Sequence, residues 1–168
     1  PFWINYRNLR ETDKKRYMIS ALARYDIFPW LNITGRVRID NANSLYKQKL
    51  YATSDATITE GGSNGHYTES RGYDAQTYAD IIANFDHTFA NEVSLMANIG
   101  GSINDISTDA FSYRGPIQAN GLANVFNVMD LDDVKKRAEK SGWHDQTISA
   151  FASIELGWKK GLFVTLTG

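Results

Sequence analysis

Apolar and polar residues alternate along residues 31–40 of the chain. One set of positions holds small and aliphatic residues: Leu31, Ile33, Gly35, Val37 and Ile39. The other set is polar and charged: Asn32, Thr34, Arg36, Arg38 and Asp40. Successive side chains of a β-strand point to opposite faces, so this pattern predicts a strand with one apolar and one charged face. The apolar stripe is about ten residues long, roughly what a tilted strand needs to cross a bilayer.

The same alternation recurs along the chain and predicts an all-β protein of six antiparallel, up-and-down strands. They cover about residues 16–26, 31–42, 73–86, 93–103, 146–158 and 162–168. Short turns join the strands in pairs, and two long loops, 43–72 and 104–145, separate the pairs. Short turns at one end and long loops at the other are typical of transmembrane β-barrels of the bacterial outer membrane, whose long loops are extracellular.

Aromatic residues support the membrane interpretation, because they gather beside the three short turns. An interfacial aromatic girdle would have this distribution. The residues are Tyr25, Phe28, Trp30, Phe85, Phe89, Trp158 and Phe163.

The second long loop contains the only helical signal. Residues Asp130–Lys140 predict a short helix, with Asp130 as the N-cap and Lys135 to Arg137 following it. Gly142 stands where a helix is expected to end.

Composition narrows the possible functions. The 168 residues include 18 Lys and Arg against 19 Asp and Glu, and a net charge near zero argues against a nucleic-acid binder held by phosphate contacts. Cysteine is absent, which excludes a disulfide framework and a thiolate metal site within this sequence. The chain opens at Pro1 in mid-pattern, without an initiator Met or signal peptide, so we expect it to be an excerpt of a longer protein.

No pattern of catalytic or metal-ligating residues is evident. His66, His87 and His144 lack the i, i+4 spacing of a helical zinc site. The acids from Asp130 to Asp133 lack EF-hand spacing, and stabilisation of a helix N-terminus explains them better. We therefore expect no enzymatic activity and no cofactor.

One alternative is a secreted all-β module that binds a glycan through its aromatic residues. In such a module the apolar faces would meet in a core, which needs large side chains. The predicted apolar faces are instead rich in small residues, which suit contact with lipid. They include Ala21, Ala23, Gly35, Ala79, Ala83, Ala97, Ala150 and Ala152.

Several stretches resemble a known family. They are residues 6–10 (YRNLR), 16–20 (RYMIS), 30–40 (WLNITGRVRID), 113–116 (YRGP), 124–127 (NVFN), 157–158 (GW) and 166–168 (LTG). Together they resemble the β-barrel of the SusC/RagA-type TonB-linked outer-membrane transporters of Bacteroidetes. The turn and strand beginning at Trp30 are the most specific part. The TonB box, the plug domain and most of the family's barrel have no counterpart in this sequence.

The resemblance implies a location in the cell outer membrane and a large barrel of the kind plugged at 22 strands, of which six strands are a minority. It implies energy-coupled import of oligosaccharides or peptides. The implied partners are a SusD-like surface lipoprotein over the extracellular mouth, the TonB complex acting through the missing plug, and outer-membrane lipid.

Two sets of candidate site residues follow. The first would face the lumen or plug: Arg36, Arg38, Asp40, Asp80, Asn84 and Glu155. The second consists of loop aromatics that could stack on sugar rings, lie under the lipoprotein, or pack the loops on themselves: Tyr46, Tyr51, Tyr67, Tyr113, Phe126 and Trp143.

Overall fold

The structure, a computed structural model, describes residues 8–89, 93–158 and 161–168. Its strands are β1 (Arg10–Phe28), β2 (Leu31–Tyr51), β3 (Gly65–Phe89), β4 (Val93–Pro116), β5 (Arg137–Trp158) and β6 (Leu162–Thr167). They form one antiparallel, up-and-down six-stranded sheet in chain order, from β1 to β6. The predicted fold class is thereby confirmed. No helix among the described residues is long and apolar enough to span a bilayer.

The strands extend further than the alternation predicts. β3 begins at Gly65 rather than near 73, β4 ends at Pro116 rather than near 103, and β5 begins at Arg137 rather than near 146. The predicted loops 43–72 and 104–145 are correspondingly shorter. In the added lengths both strand faces carry many polar residues, so backbone pairing continues where the hydrophobic pattern no longer marks it.

The predicted helix Asp130–Lys140 is wrong. Within residues 93–158 the structure has one turn of 3₁₀-helix, Val128–Asp130, and β5 already begins at Arg137. The Asp132 carboxylate accepts the backbone N–H of Lys135 at 3.0 Å, which stabilises a local turn. A helix this short, without an apolar stripe to pack, is too weak to compete with such a turn and with strand pairing.

Contacts divide the chain into two compact units. We call the first the loop half: Pro1–Tyr17, Asn41–Asp74 and Ser107–Trp143. We call the second the turn half: Met18–Asp40, Ala75–Ile106 and His144–Gly168.

The loop half contains a small packed core. Among the described residues, its largest fully buried side chains are those of Thr59, Pro116, Ile117 and Leu131. Ile117 pairs with Leu131 in an isolated antiparallel bridge, and its backbone N–H donates to the carbonyl oxygen of Gly65 at 2.9 Å. The residues between β4 and β5 are thereby held against the start of β3.

The turn half has no comparable core. Among its described residues no apolar side chain is buried, and the buried polar ones are Asp40 and Asp80. Its alternating apolar stripe lies open instead, with no protein cover within this half. Representative stripe residues, each at least 60% exposed, are Ile19, Ile81, Ile99, Ile148 and Leu166.

Two adjacent glycines of β4 differ in what surrounds them. A Cβ on Gly100 would lie 2.8 Å from the carbonyl oxygen of Ile81 and 2.6 Å from Cζ of Phe151. A Cβ on Gly101 would lie 3.4 Å from the nearest atom, the carbonyl oxygen of Ser149. We expect Gly100→Ala to lower the free energy of unfolding by about 1–3 kcal/mol through overpacking. Gly101→Ala should stay within about 0.5 kcal/mol.

Urea unfolding of the full-length protein, followed by tryptophan fluorescence, measures this difference. Equal unfolding midpoints for the two variants would contradict the close contact between β3, β4 and β5 at Gly100.

Candidate functional site

An ion pair lies at the centre of the polar face of the turn half. Arg36 on β2 donates through Nε and Nη2 to Oδ2 of Asp80 on β3, at 2.9 and 2.7 Å. The Asp80 side chain is 1% exposed, whereas that of Arg36 is 49% exposed. The guanidinium also lies 5.7 Å from the centre of the Tyr78 ring. Two residues predicted on one polar face, 44 positions apart in sequence, are therefore in direct contact.

Further hydrogen bonds extend this polar face across neighbouring strands. Asn84 donates to Asn32 at 2.9 Å, joining β3 to β2. Gln76 donates to Asn104 at 2.8 Å, joining β3 to β4. The polar face is thus a row of side chains that hydrogen-bond to one another. Strand alternation places these side chains on the same face of the sheet.

The remaining residues of the predicted lumen-facing set have their own partners. Arg38 lies 3.4 Å from the carboxylate of Asp40, which is buried. Glu155 on β5 accepts a hydrogen bond from the hydroxyl of Thr165 on β6 at 3.2 Å. Glu155 and Thr165 are also register partners, so this contact follows from the β5–β6 pairing.

Aromatic rings form a continuous row beside the short turns of the turn half. Phe28 stacks on Trp30 at 5.0 Å between ring centres, and Trp30 contacts Phe85 at 5.2 Å. His87 then joins Phe85 to Phe89, with ring distances of 6.3 and 4.6 Å. The aromatic cluster expected from the sequence is present in this hairpin pair, and His87 is a member that sequence analysis missed.

The candidate ligand-binding aromatics lie in strands rather than loops, apart from Phe126. The strands continue past the predicted span ends and include these positions. Tyr46 and Tyr51 belong to β2, Tyr67 to β3, Tyr113 to β4 and Trp143 to β5.

The structure brings together two of these aromatics through Phe126. The Phe126 ring lies 5.0 Å from that of Tyr51 and 6.2 Å from that of Tyr67. Tyr67 is buried and donates through its hydroxyl to Glu69 at 2.9 Å. Burial, with the help of Glu69, raises the pKa of Tyr67 to about 12. Tyr67 therefore packs the loop half internally and offers no face to a ligand, while Tyr113 and Trp143 are exposed.

A charged cluster around His66 was not predicted. The His66 side chain is buried, with Nε2 3.8 Å from the Glu60 carboxylate and Nδ1 without a hydrogen-bond partner among the described residues. Arg137 lies 3.4 Å from the same carboxylate. Burial lowers the pKa of His66, an effect that the Glu60 charge opposes and the charge of Arg114 reinforces. The cluster forms where the β2–β3 connection meets the start of β5. The hydrophobic periodicity of the sequence does not indicate that these segments lie together.

The lowered pKa of His66 predicts a loop half that loosens in mild acid. An exposed histidine has a pKa of about 6.5. Below that pH, His66 therefore binds a proton when the loop half is open, whereas burial disfavours the protonated form when the loop half is closed. The stabilisation from neutral His66 is therefore present above about pH 6.5 and lost as the pH falls towards the lowered value. Hydrogen exchange around residues 59–67 and 114–118, corrected for intrinsic rates, should be several-fold faster at pH 5.5 than at 7.5.

His66→Gln should abolish most of this pH dependence. His144→Gln, which removes an exposed histidine, serves as the matched control and should leave the pH dependence in place. An unchanged pH response in His66→Gln would contradict the assignment.

Among the described residues no group of His, Asp and Glu side chains is arranged to hold a metal ion.

Comparison with solved structures establishes the fold of this chain. No protein-family model matches the chain, and no curated protein sequence matches it. Solved structures do match: one chain of the RagAB peptide importer in its open-open state superposes with a TM-score of 0.80 over 98% of this chain, at 13% identity. The fold is that of a segment of a RagAB chain.

Other states of the same complex agree. The closed-closed state matches with a TM-score of 0.70 over 94% of this chain at 14% identity, and a further RagAB peptide transporter structure with 0.71 over 94% at 13%. This chain spans only 18% of the open-open RagAB chain and 17% of the closed-closed one. At such low identity the likeness establishes the fold alone.

Proposed function

We propose that this chain forms part of the barrel wall and extracellular mouth of an energy-coupled outer-membrane importer, without enzymatic activity. The observation that carries the proposal is the likeness to the RagAB peptide importer over 98% of the chain. The resemblance of residues 30–40 to the SusC/RagA type supports the same family.

The two faces of the turn half support a place in a membrane. The open apolar stripe suits contact with lipid, because acyl chains pack against Ala and Gly without leaving cavities. The hydrogen-bonded polar face suits contact with a water-filled lumen. On β4 the stripe runs from Val93 to Ile103 and is followed at Asp105 by a polar group. The apolar stripe ends before this residue, because the Asp105 carboxylate has polar partners: it lies 2.9 Å from His144 and 3.1 Å from Gln146. The stripe is therefore about as long as a bilayer crossing requires.

The cargo that we propose is an oligopeptide, with an oligosaccharide as the alternative. RagAB is described as a peptide importer, which favours the first. In this proposal Arg36 and Asp80 face the lumen or plug, and Trp143 contacts cargo or lipoprotein. A SusD-like lipoprotein and the TonB complex, acting through a plug outside this sequence, complete the machine.

Uptake by cells that carry the full-length protein tests the proposal. Labelled oligopeptides and labelled oligosaccharides are supplied in parallel, with and without a protonophore that removes the energy source. We expect uptake of the peptide, loss of uptake with the protonophore, and weaker uptake in Trp143→Ala. Met129→Ala, which truncates another exposed apolar residue of the loop half, should take up peptide normally.

Uptake of oligosaccharide alone would reverse the choice of cargo. A full-length protein found in the secreted soluble fraction would overturn the transporter and support the glycan-binding module.

A further inference from the structure

Two asparagines of the loop half are each followed directly by glycine. They are Asn64, which precedes Gly65, and Asn120, which precedes Gly121. Asparagine is one of the chemically labile residues of proteins. Its side-chain amide can be attacked by the backbone nitrogen of the next residue, and glycine hinders this attack least because it has no Cβ. The same labile pair thus occurs twice, in two different surroundings.

The side-chain amide of Asn64 is fixed by hydrogen bonds. Its Nδ2 donates to the carbonyl oxygens of Gln118, Ala119 and Gly121 at 2.6, 3.1 and 3.1 Å. The next residue, Gly65, is buried and is the first residue of β3. Attack by the Gly65 nitrogen on this amide would break the side-chain hydrogen bonds and displace the start of a strand.

The side chain of Asn120 is free by comparison. Asn120 is exposed, and among the residues that the structure describes its side chain has no hydrogen bond and no ion pair. It lies in a four-residue turn, 118–121, in which the Gly121 N–H donates to the carbonyl oxygen of Gln118 at 3.1 Å. Asn64 holds carbonyl groups of this turn but not the Asn120 side chain. Opening one backbone hydrogen bond therefore frees the nitrogen that attacks.

We infer that Asn120 is a site of spontaneous deamidation and that Asn64 is protected from the same reaction. The Gly121 nitrogen loses its proton and forms a bond to Cγ of Asn120. The side-chain nitrogen leaves as ammonia, and a succinimide ring results. Water then opens the ring at either of its carbonyl carbons, giving aspartate or isoaspartate. The reaction consumes one water and releases one ammonia, without oxidation or reduction.

The isoaspartate product acts back on Asn64 through the turn. In isoaspartate the main chain runs through Cβ and Cγ, so it gains one carbon atom between Ala119 and Gly121. The carbonyl groups on both sides of that carbon are acceptors of the Asn64 amide, and the longer chain moves them apart. The modified β4–β5 connection is therefore held less firmly against the start of β3. All of these groups belong to the loop half, so the inference does not depend on the proposed transport function.

Ageing of the purified full-length protein in a mildly alkaline buffer tests the site. Trypsin cuts after Lys and Arg, so Asn64 and Asn120 fall in separate peptides, residues 50–71 and 115–135. Mass spectrometry with fragmentation measures the change from amide to acid at each asparagine. Conversion at Asn120 should be about tenfold faster or more, because several hydrogen bonds must first break at Asn64.

The same protein unfolded in urea is the matched control. Unfolding removes the surroundings of both asparagines, so the two conversion rates should become similar. Equal rates at Asn64 and Asn120 in the folded protein would overturn the inference. Conversion of Asn120 in urea but not in the folded protein would also overturn it, because the turn would then protect this residue.

Hydrogen exchange tests the effect on Asn64. Residues 64–67 and 117–121 should exchange several-fold faster in aged than in fresh protein. Asn120→Gln removes the labile pair and should show no change on ageing. Fresh Asn120→Asp has the new charge without the longer main chain and should exchange like the unaged protein. Unchanged exchange in aged protein, or equally fast exchange in fresh Asn120→Asp, would overturn the effect of the lengthened turn.

Discussion

Ile99→Arg should destabilise the full-length protein in a bilayer, lowering its free energy of unfolding by about 2–4 kcal/mol. Ile99 lies near the middle of the apolar stripe of β4 and is 65% exposed. If that exposed surface meets lipid, a guanidinium there is placed at the bilayer midplane. The measurement is the urea midpoint of the protein folded into phospholipid vesicles, together with its heat-modifiable migration on gels.

Asn98→Arg is the matched control, because it places the same charge one residue earlier on the polar face. Asn98 is exposed and lies 3.5 Å from Ser153. We expect it to fold normally. If both variants folded equally well, the stripe would face water, and the soluble binding module would be the better account.

Arg36→Met should lower the free energy of unfolding by more than the loss of an exposed ion pair does, since it leaves the Asp80 carboxylate buried without its partner. Water limits this cost, because the Arg36 side chain is 49% exposed and water can replace part of its interaction with Asp80. Asp80→Asn added to Arg36→Met should recover part of the loss, because the uncompensated charge is removed. Unfolding free energies of the single and double variants form a double-mutant cycle that measures the coupling.

Arg24→Met is the control for this pair. Arg24 lies 2.9 Å from Asp26, but both side chains are more than half exposed, at 58% and 65%. Exposed pairs of this kind contribute about 1 kcal/mol or less. A cost for Arg36→Met no larger than that for Arg24→Met would contradict the burial of Asp80.

The alternation along the chain predicted the sheet well where one face is apolar. Residues 31–40 and 93–103 were placed on strands because their apolar positions repeat every second residue. Beyond about residue 103 on β4, and before about 73 on β3, polar residues occupy both faces, so pairing continued without a pattern to mark it. The predicted helix at 130–140 failed because local carboxylate capping stabilised a turn instead.

The candidate site was only partly predictable. Alternation placed Arg36 and Asp80 on polar faces, but their contact depends on the β2–β3 register, which one sequence does not reveal. The contact of Tyr51 and Tyr67 with Phe126, and that of His66 with Glu60, depend on the conformations of the long connections. No short-range rule specifies these conformations.

The central claim is that one face of the turn half contacts lipid and the other contacts water. Single cysteines are placed one at a time at residues 95–99 and 101–103 of β4 in the full-length protein, in its native membrane, and this sequence itself contributes no other cysteine. Each is spin-labelled, and its accessibility to oxygen, which partitions into lipid, is compared with that to a water-soluble nickel chelate. We expect oxygen to dominate at 95, 97, 99, 101 and 103 and the chelate at 96, 98 and 102. Uniform access to the chelate along the strand would contradict the account.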